Sequence, residues 1–393
     1  MRLKIKLNGI VYFVLWLWIF TNCFTGLDAD LFLRLKGTNS SLHIHNILAI
    51  FLILLALSRK EWKFPKGYIY VFLFFIEMTL IWLINLSKYG VNSGYISTVY
   101  GIVIMACVAG LSDCIDEKVI KRIFESVALV VAVLIMSNIL IHMQDIVRAL
   151  RNGWAHPTIT VFFGGGVNLE ATWMAMFGVF FRDKWKYKYW LFSSLLSVVY
   201  ISRTGMMLNV LLILIYLYQD NRQQLFKRIL VVLVLVGMIF SVSYSIGLLD
   251  NVLKRFSNIG NEAGSRARLI MWEASLRGIF DNPLGVGCGN AMDFLSSAYN
   301  LHRSESNVHN IYLQCLLENN IVGFSMLIGG IFKLVCRQLK NRFSDPCGMF
   351  LLLYAFQGFF QTTLKDPLMF LVLAFYFVLS GRNRMEEKSI RNI

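Results

Sequence analysis

Along most of this chain the apolar residues neither alternate nor recur on one helical face; they form unbroken runs parted by short polar segments. A helix that crosses the hydrocarbon of a bilayer needs roughly 17–25 such residues. The runs predict about twelve spans, at 8–27, 42–58, 67–86, 94–111, 122–142, 160–181, 188–201, 204–219, 228–249, 309–335, 346–363 and 366–380. The seventh, eighth and twelfth are short, so the pattern allows a tilted, broken or re-entrant element around Ser202. The expected fold is all-α, a polytopic membrane protein with nine helices in 1–249, a large loop at 250–308, and three more helices plus a tail in 309–393.

That loop interrupts the apolar pattern. It contains Asn261-Glu-Ala-Gly-Ser-Arg-Ala-Arg-Leu-Ile-Met-Trp272, then Asp281-Asn-Pro-Leu-Gly-Val-Gly287, and it leads to His309-Asn310 at the mouth of the next span. Ile270, Ala274, Leu276 and Phe280 fall at helical spacing, with Arg266, Arg268 and Arg277 among them, which predicts an amphipathic helix over Ser265–Phe280 lying on the membrane surface. Asp281-Asn282-Pro283 should end it, because the residue before a proline is pushed away from helical angles. Gly285, Gly287 and Gly289 then permit a tight turn. A many-span protein has few water-exposed places for chemistry, so function is expected here.

Composition narrows the class. With 57% apolar and 16% charged residues, and a mean hydropathy of +0.60, the chain has too much apolar surface for a soluble domain to bury. Most of the 38 Lys and Arg fall in one alternate set of loops, above all Arg59, Lys60, Lys63 and Lys66, and Arg182, Lys184, Lys186 and Lys188. That bias makes those loops and both termini cytoplasmic, and places the 250–308 loop on the outer, periplasmic side. Topology and anionic lipid therefore account for the net charge of +15, and no concentrated basic face for nucleic acid remains. Met1–Cys23 has a signal-like basic start but no small-residue cleavage site, and is read as the first span. The seven cysteines include no CxxC pair, which argues against a disulfide framework or a zinc site.

Arg203, in Tyr200-Ile-Ser-Arg203-Thr-Gly205, stands between two apolar runs near the outer face. A charge there is expensive unless it snorkels to headgroups or meets a wet cavity or an anion. A guanidinium offers a planar fork of donors suited to a diphosphate. His309 opens a long apolar helix, and an imidazole can take a proton from a hydroxyl nucleophile. Asn310, Glu318, Asn319 and Asn320 precede Gly323 in a polar series that lipid would not tolerate. Asp28 and Asp30 keep an acidic role open in the first outer loop, while His43 and His45, with no third ligand nearby, are read as structural. Glu77 is a charge inside the third span, placed to contact another helix.

Three ordered pieces resemble the bacterial O-antigen ligase and polysaccharide polymerase family: Ser202-Arg203-Thr204-Gly205 opening a span, Arg268-Leu-Ile-Met-Trp272 followed by Asn282-Pro-Leu-Gly-Val-Gly287, and His309-Asn310 with Leu313, Glu318 and Gly323. The likeness covers roughly 160–335. It implies a metal-independent membrane glycosyltransferase of GT-C type, without a cofactor, that moves a glycan from undecaprenyl diphosphate to an acceptor hydroxyl at the outer face of the inner membrane. Arg203 and Arg268 would match the family's diphosphate-binding arginines and His309 its base, with Arg266, Asn310 and Glu318 as substrate-binding neighbours. The implied product is a surface polysaccharide (O-antigen, capsule or exopolysaccharide). The implied partners are the lipid-linked oligosaccharide, an acceptor glycan or lipid A-core, the bilayer, a flippase and a chain-length regulator. Two positions depart from the ligase pattern: Asn320 stands where ligases often carry glycine, and Met207 where Leu often follows the first arginine. A polymerase is the leading expectation, a ligase the nearest rival. A transporter of lipid-linked glycans is a third, although two related halves are not evident.

Overall fold

The computed structural model describes residues 2–25, 33–34, 41–42, 44–59, 61–152, 157, 159–181, 183–220, 263–301, 307–360 and 366–391. The ninth expected span, with Asp28, Asp30 and His43, lies outside them. Apart from a two-residue antiparallel pairing of Leu33–Arg34 with Ser41–Leu42, the described elements are helical. They are α1 (Arg2–Asn22), α2 (Ile44–Leu57), α3 (Gly67–Tyr89), α4 (Ser93–Gly110), α5 (Glu117–Ile141), α6 (Met143–Asn152), α7 (Val167–Phe177), α8 (Asp183–Val199), α9 (Arg203–Asp220), α10 (Ala263–Asp281), α11 (Ala291–Tyr299), α12 (Ile311–Lys340), α13 (Pro346–Gln357) and α14 (Pro367–Arg391). Four of them, α3, α4, α5 and α12, are long and apolar enough to cross a bilayer by themselves. Asn8–Asn22, Ile44–Leu57, Pro346–Gln357 and Pro367–Gly381 are shorter apolar helices.

One apolar core joins α1 to α9 with α12, α13 and α14. Small residues bring its helices close: a Cβ on Gly101 of α4 would stand 2.1 Å from the Phe370 ring of α14, and one on Gly67 would meet Phe377 equally closely. The sixth apolar run, 160–181, is helical only from Val167. Gly165 and Gly166 take φ of 94° and 88°, so the chain reaches α7 through a loop rather than a continuous span. The short seventh and eighth runs become a helical hairpin, turned at Ile201 (φ 52°) and Ser202. Lys186 and Tyr187 bond Asp220 at its other end.

The tenth run holds the main departure from regular helix. Inside α12, Asn319 (φ −121°, ψ 18°) and Asn320 (φ 54°, ψ −169°) break the ladder. Such a break strands carbonyls on its N-terminal side. Those of Leu317 and Glu318 instead accept the amides of Val286 (3.0 Å) and Gly287 (2.9 Å) from the polar loop. Beneath that loop a second, smaller core collects Ala274, Val286, Ala291, Phe294, Leu295, Val308 and Leu317.

Candidate active site

Hydrogen bonds between helix ends fix which residues share one end of the bundle. Gln219, near the end of α9, bonds the Phe343 carbonyl just beyond α12. From there α13 runs back until Gly358, whose carbonyl accepts the Ile311 amide at 2.7 Å, one residue into α12. The starts of α9 and α12, with Arg203 and His309, therefore lie at the same end.

Arg203 is the first residue of α9 and is half-buried. The turn before it is held firmly. Ser202, fully buried, accepts the Gly205 amide on Oγ at 3.2 Å, and its own amide bonds the Ser197 carbonyl at 2.8 Å. The Tyr200 hydroxyl donates to Glu170 Oε1 at 2.7 Å. The other carboxylate oxygen of Glu170 accepts the amides of Phe162 (2.6 Å) and Phe163 (3.3 Å). Glu170 thus ties the 162–166 loop to the turn that presents Arg203. Asn209, one and a half turns further on, bonds Ser193, Ser197 and Gly205 and locks α9 to α8.

The loop helix forms as the spacing predicted, over Ala263–Asp281. Its arginines differ in setting. Arg277 is paired with Glu273 at 2.6 Å, Arg266 is exposed and Arg268 is half-buried. One turn beyond Arg268, the Trp272 indole donates to the Val308 carbonyl at 3.0 Å. That bond fastens the helix bearing Arg268 to the residue before His309.

His309 sits at φ 55°, in the left-handed region that costs a non-glycine residue about 1–2 kcal/mol. Asn307 Oδ1 accepts its amide at 2.8 Å. Strain of this kind persists only where surroundings over-determine the backbone, and it clusters at functional sites. Asn310 is a helix cap: its Oδ1 accepts the amides of Tyr312 (3.0 Å) and Leu313 (3.1 Å). Glu318 is buried, accepts Gln314 Nε2 at 2.9 Å, and carries the carbonyl that receives Gly287. Among the described residues, no group of three His, Cys, Asp or Glu is arranged to hold a metal ion. His45 packs against Trp18 and Tyr100.

Residues 189–328 match a protein-family model described as O-antigen ligase. This segment is similar to the O-antigen ligase family. It takes in Arg203, Arg268 and His309 while leaving more than half of the chain's 393 residues unmatched. A comparison with curated proteins found no match. The match and the apolar helices together support a membrane protein.

Several supports of this site carry no role in the sequence reading. Glu170 could have been flagged as an acidic residue within an apolar run, the signal that singled out Glu77. Asn85 and Asn92, around the α3–α4 turn, bond the carbonyls of Gly285 (3.2 Å) and Cys288 (2.9 Å), and a single sequence holds no signal for contacts so distant.

Proposed function

We propose that this protein is a GT-C-type membrane glycosyltransferase that joins undecaprenyl-diphosphate-linked oligosaccharide units into a surface polysaccharide at the outer face of the inner membrane. The observation that carries the reading is the O-antigen ligase match over 189–328, which encloses two arginines and a histidine at one end of the bundle. In this reading His309 takes the proton of an acceptor hydroxyl as its oxygen attacks the anomeric carbon. The bond from that carbon to the diphosphate breaks, and undecaprenyl diphosphate departs with the electron pair. Arg203 and Arg268 offset the charge that develops on the leaving group. The donor is already activated, so cations and one base suffice, with no metal or cofactor in the scheme. Arg266 contributes charge from the exposed face of α10, while Asn310 and Glu318 hold the start of α12 for substrate.

The test supplies purified protein with lipid-linked repeat units and no other enzyme. A ladder of multimers supports the polymerase; single units alone overturn it. A ligase moving finished chains onto lipid A-core is the second reading, favoured by the description of the matched family. Transfer to added lipid A-core without elongation would establish it in place of the polymerase.

A further inference from the structure

The cleft between α3, α12 and α14 encloses about 1780 Å³ and runs from Ile311 and Gln314 at the site end to Lys63, Lys66 and Lys340 at the other. Along most of its length the walls are apolar, with Phe74, Met78, Met326, Leu373 and Phe377 among the residues that line it. Its far end is basic on two sides. Lys63 and Lys66 precede α3, and Lys333, Arg337 and Lys340 follow at steps of four and three, which is one face of α12. Asp113 also lines this end and bonds Lys63 Nζ at 3.0 Å, so it offsets Lys63 but not the others. Lys333 lies 4.6 Å from the centre of the Tyr70 ring, and Arg337 5.1 Å from that of Tyr376. Those rings hold both side chains at the cleft without cancelling their charge, although Asp345 lies close enough to offset part of the charge on Arg337.

A second observation points to a ligand. Ser380 of α14 lines the cleft and is 7% exposed, yet its buried Oγ has no hydrogen-bond partner among the described residues. The next residue, Gly381, lies beside Pro65, which places Ser380 at the level of Lys66. A buried hydroxyl without a partner is costly, and an acceptor oxygen beside it would relieve that cost.

We propose that this cleft is a binding site for an acidic phospholipid. Its phosphate is received by Lys66, Lys333, Arg337 and Lys340, with the Ser380 hydroxyl donating to a phosphate oxygen, and its acyl chains lie along the apolar walls. Basic pockets between membrane helices recognise anionic headgroups by this combination. Free phosphate would leave the apolar length of the cleft unused, and a zwitterionic lipid would bring no net charge to the basic end. The headgroup end of the cleft lies away from His309, while its apolar length reaches Ile311 and Glu318.

The test incubates detergent-solubilised full-length protein with equal amounts of phosphatidylglycerol and phosphatidylcholine of matched chains, then measures retained lipid by mass spectrometry. Wild type is expected to retain phosphatidylglycerol by about tenfold over phosphatidylcholine. Lys66→Gln/Lys340→Gln should lower that ratio on the order of tenfold, and Ser380→Ala should lower it less. Lys184→Gln/Lys188→Gln, which removes charge outside the cleft, should leave it unchanged. Equal retention of the two lipids by wild type, an unchanged ratio in the double variant, an equal fall in the Lys184/Lys188 control, or displacement of the lipid by inorganic phosphate would each overturn the proposal. Should the double variant fail to fold, Lys340→Gln and Ser380→Ala carry the same test.

Discussion

The Trp272 indole donates a hydrogen bond to the Val308 carbonyl at 3.0 Å, so the helix that carries Arg268 and the strained residue His309 are positioned by one contact. Trp272→Phe keeps an aromatic ring, smaller than the indole, and removes the donor. The change should cost about 1 kcal/mol of stability and lower transfer several-fold, because the two groups lose their common register. Thermal melting and product yield from the same preparation measure both effects; full activity would show that this tether does not set the geometry.

Arg268 tests the diphosphate assignment. Arg268→Lys keeps the charge but replaces a planar fork with a point donor, and should lose most transfer, roughly 10²-fold if the contact tightens as the leaving group departs. Initial rates over a range of donor concentrations decide it. Near-normal turnover would remove Arg268 from the diphosphate site.

His309 needs a substitution that respects its backbone. Asparagine tolerates φ near 55° better than alanine does, so His309→Asn should accumulate at wild-type levels while forming no polymer. His309→Ala should also be inactive and less stable. If His309→Asn retains substantial transfer, the imidazole is not the base.

Asn320 lies at φ 54° and ψ −169°, a region essentially reserved for glycine that costs a side-chain-bearing residue about 1–3 kcal/mol. Its side chain offsets part of this by accepting the Val322 amide at 2.7 Å and donating to the Leu284 carbonyl at 3.3 Å. Asn320→Gly removes the strain and both bonds together and should be nearly neutral. Asn320→Ala keeps the strain, loses the bonds, and should lower stability by about 2 kcal/mol. Denaturation of the two variants side by side separates these outcomes.

Gly285 sits at φ 86°, and a Cβ there would stand 2.7 Å from the Glu318 carbonyl oxygen. Gly285→Ala combines a disfavoured dihedral with a backbone clash, so the loop should lift from α12. Faster hydrogen exchange at Val286 and Gly287, with unchanged exchange in α4, is the expected signature.

Much of this arrangement was legible in the residues. Glu318-Asn319-Asn320 is too polar for lipid, and the helix breaks there. The short runs on either side of Ser202 become a turned hairpin, and the loop helix ends at Asp281, where Asp281-Asn282-Pro283 places its end. What could not be read depends on distant pairings. The 160–181 run is apolar throughout, yet Glu170 turns its first third into a loop by binding the Phe162 and Phe163 amides. Hydropathy counts side chains and is blind to where backbone donors go. The anchoring of Gly285 and Cys288 by Asn85 and Asn92 joins segments about two hundred residues apart, and no local pattern encodes it.

The amides of Val286 and Gly287 complete a transmembrane helix to which they are not contiguous, and this limits how the chain can be re-engineered. The segment before His309 is no detachable module. A chimera that exchanges it for the equivalent stretch of a relative must carry Leu317–Asn320 with it, or the graft will leave two buried carbonyls without partners.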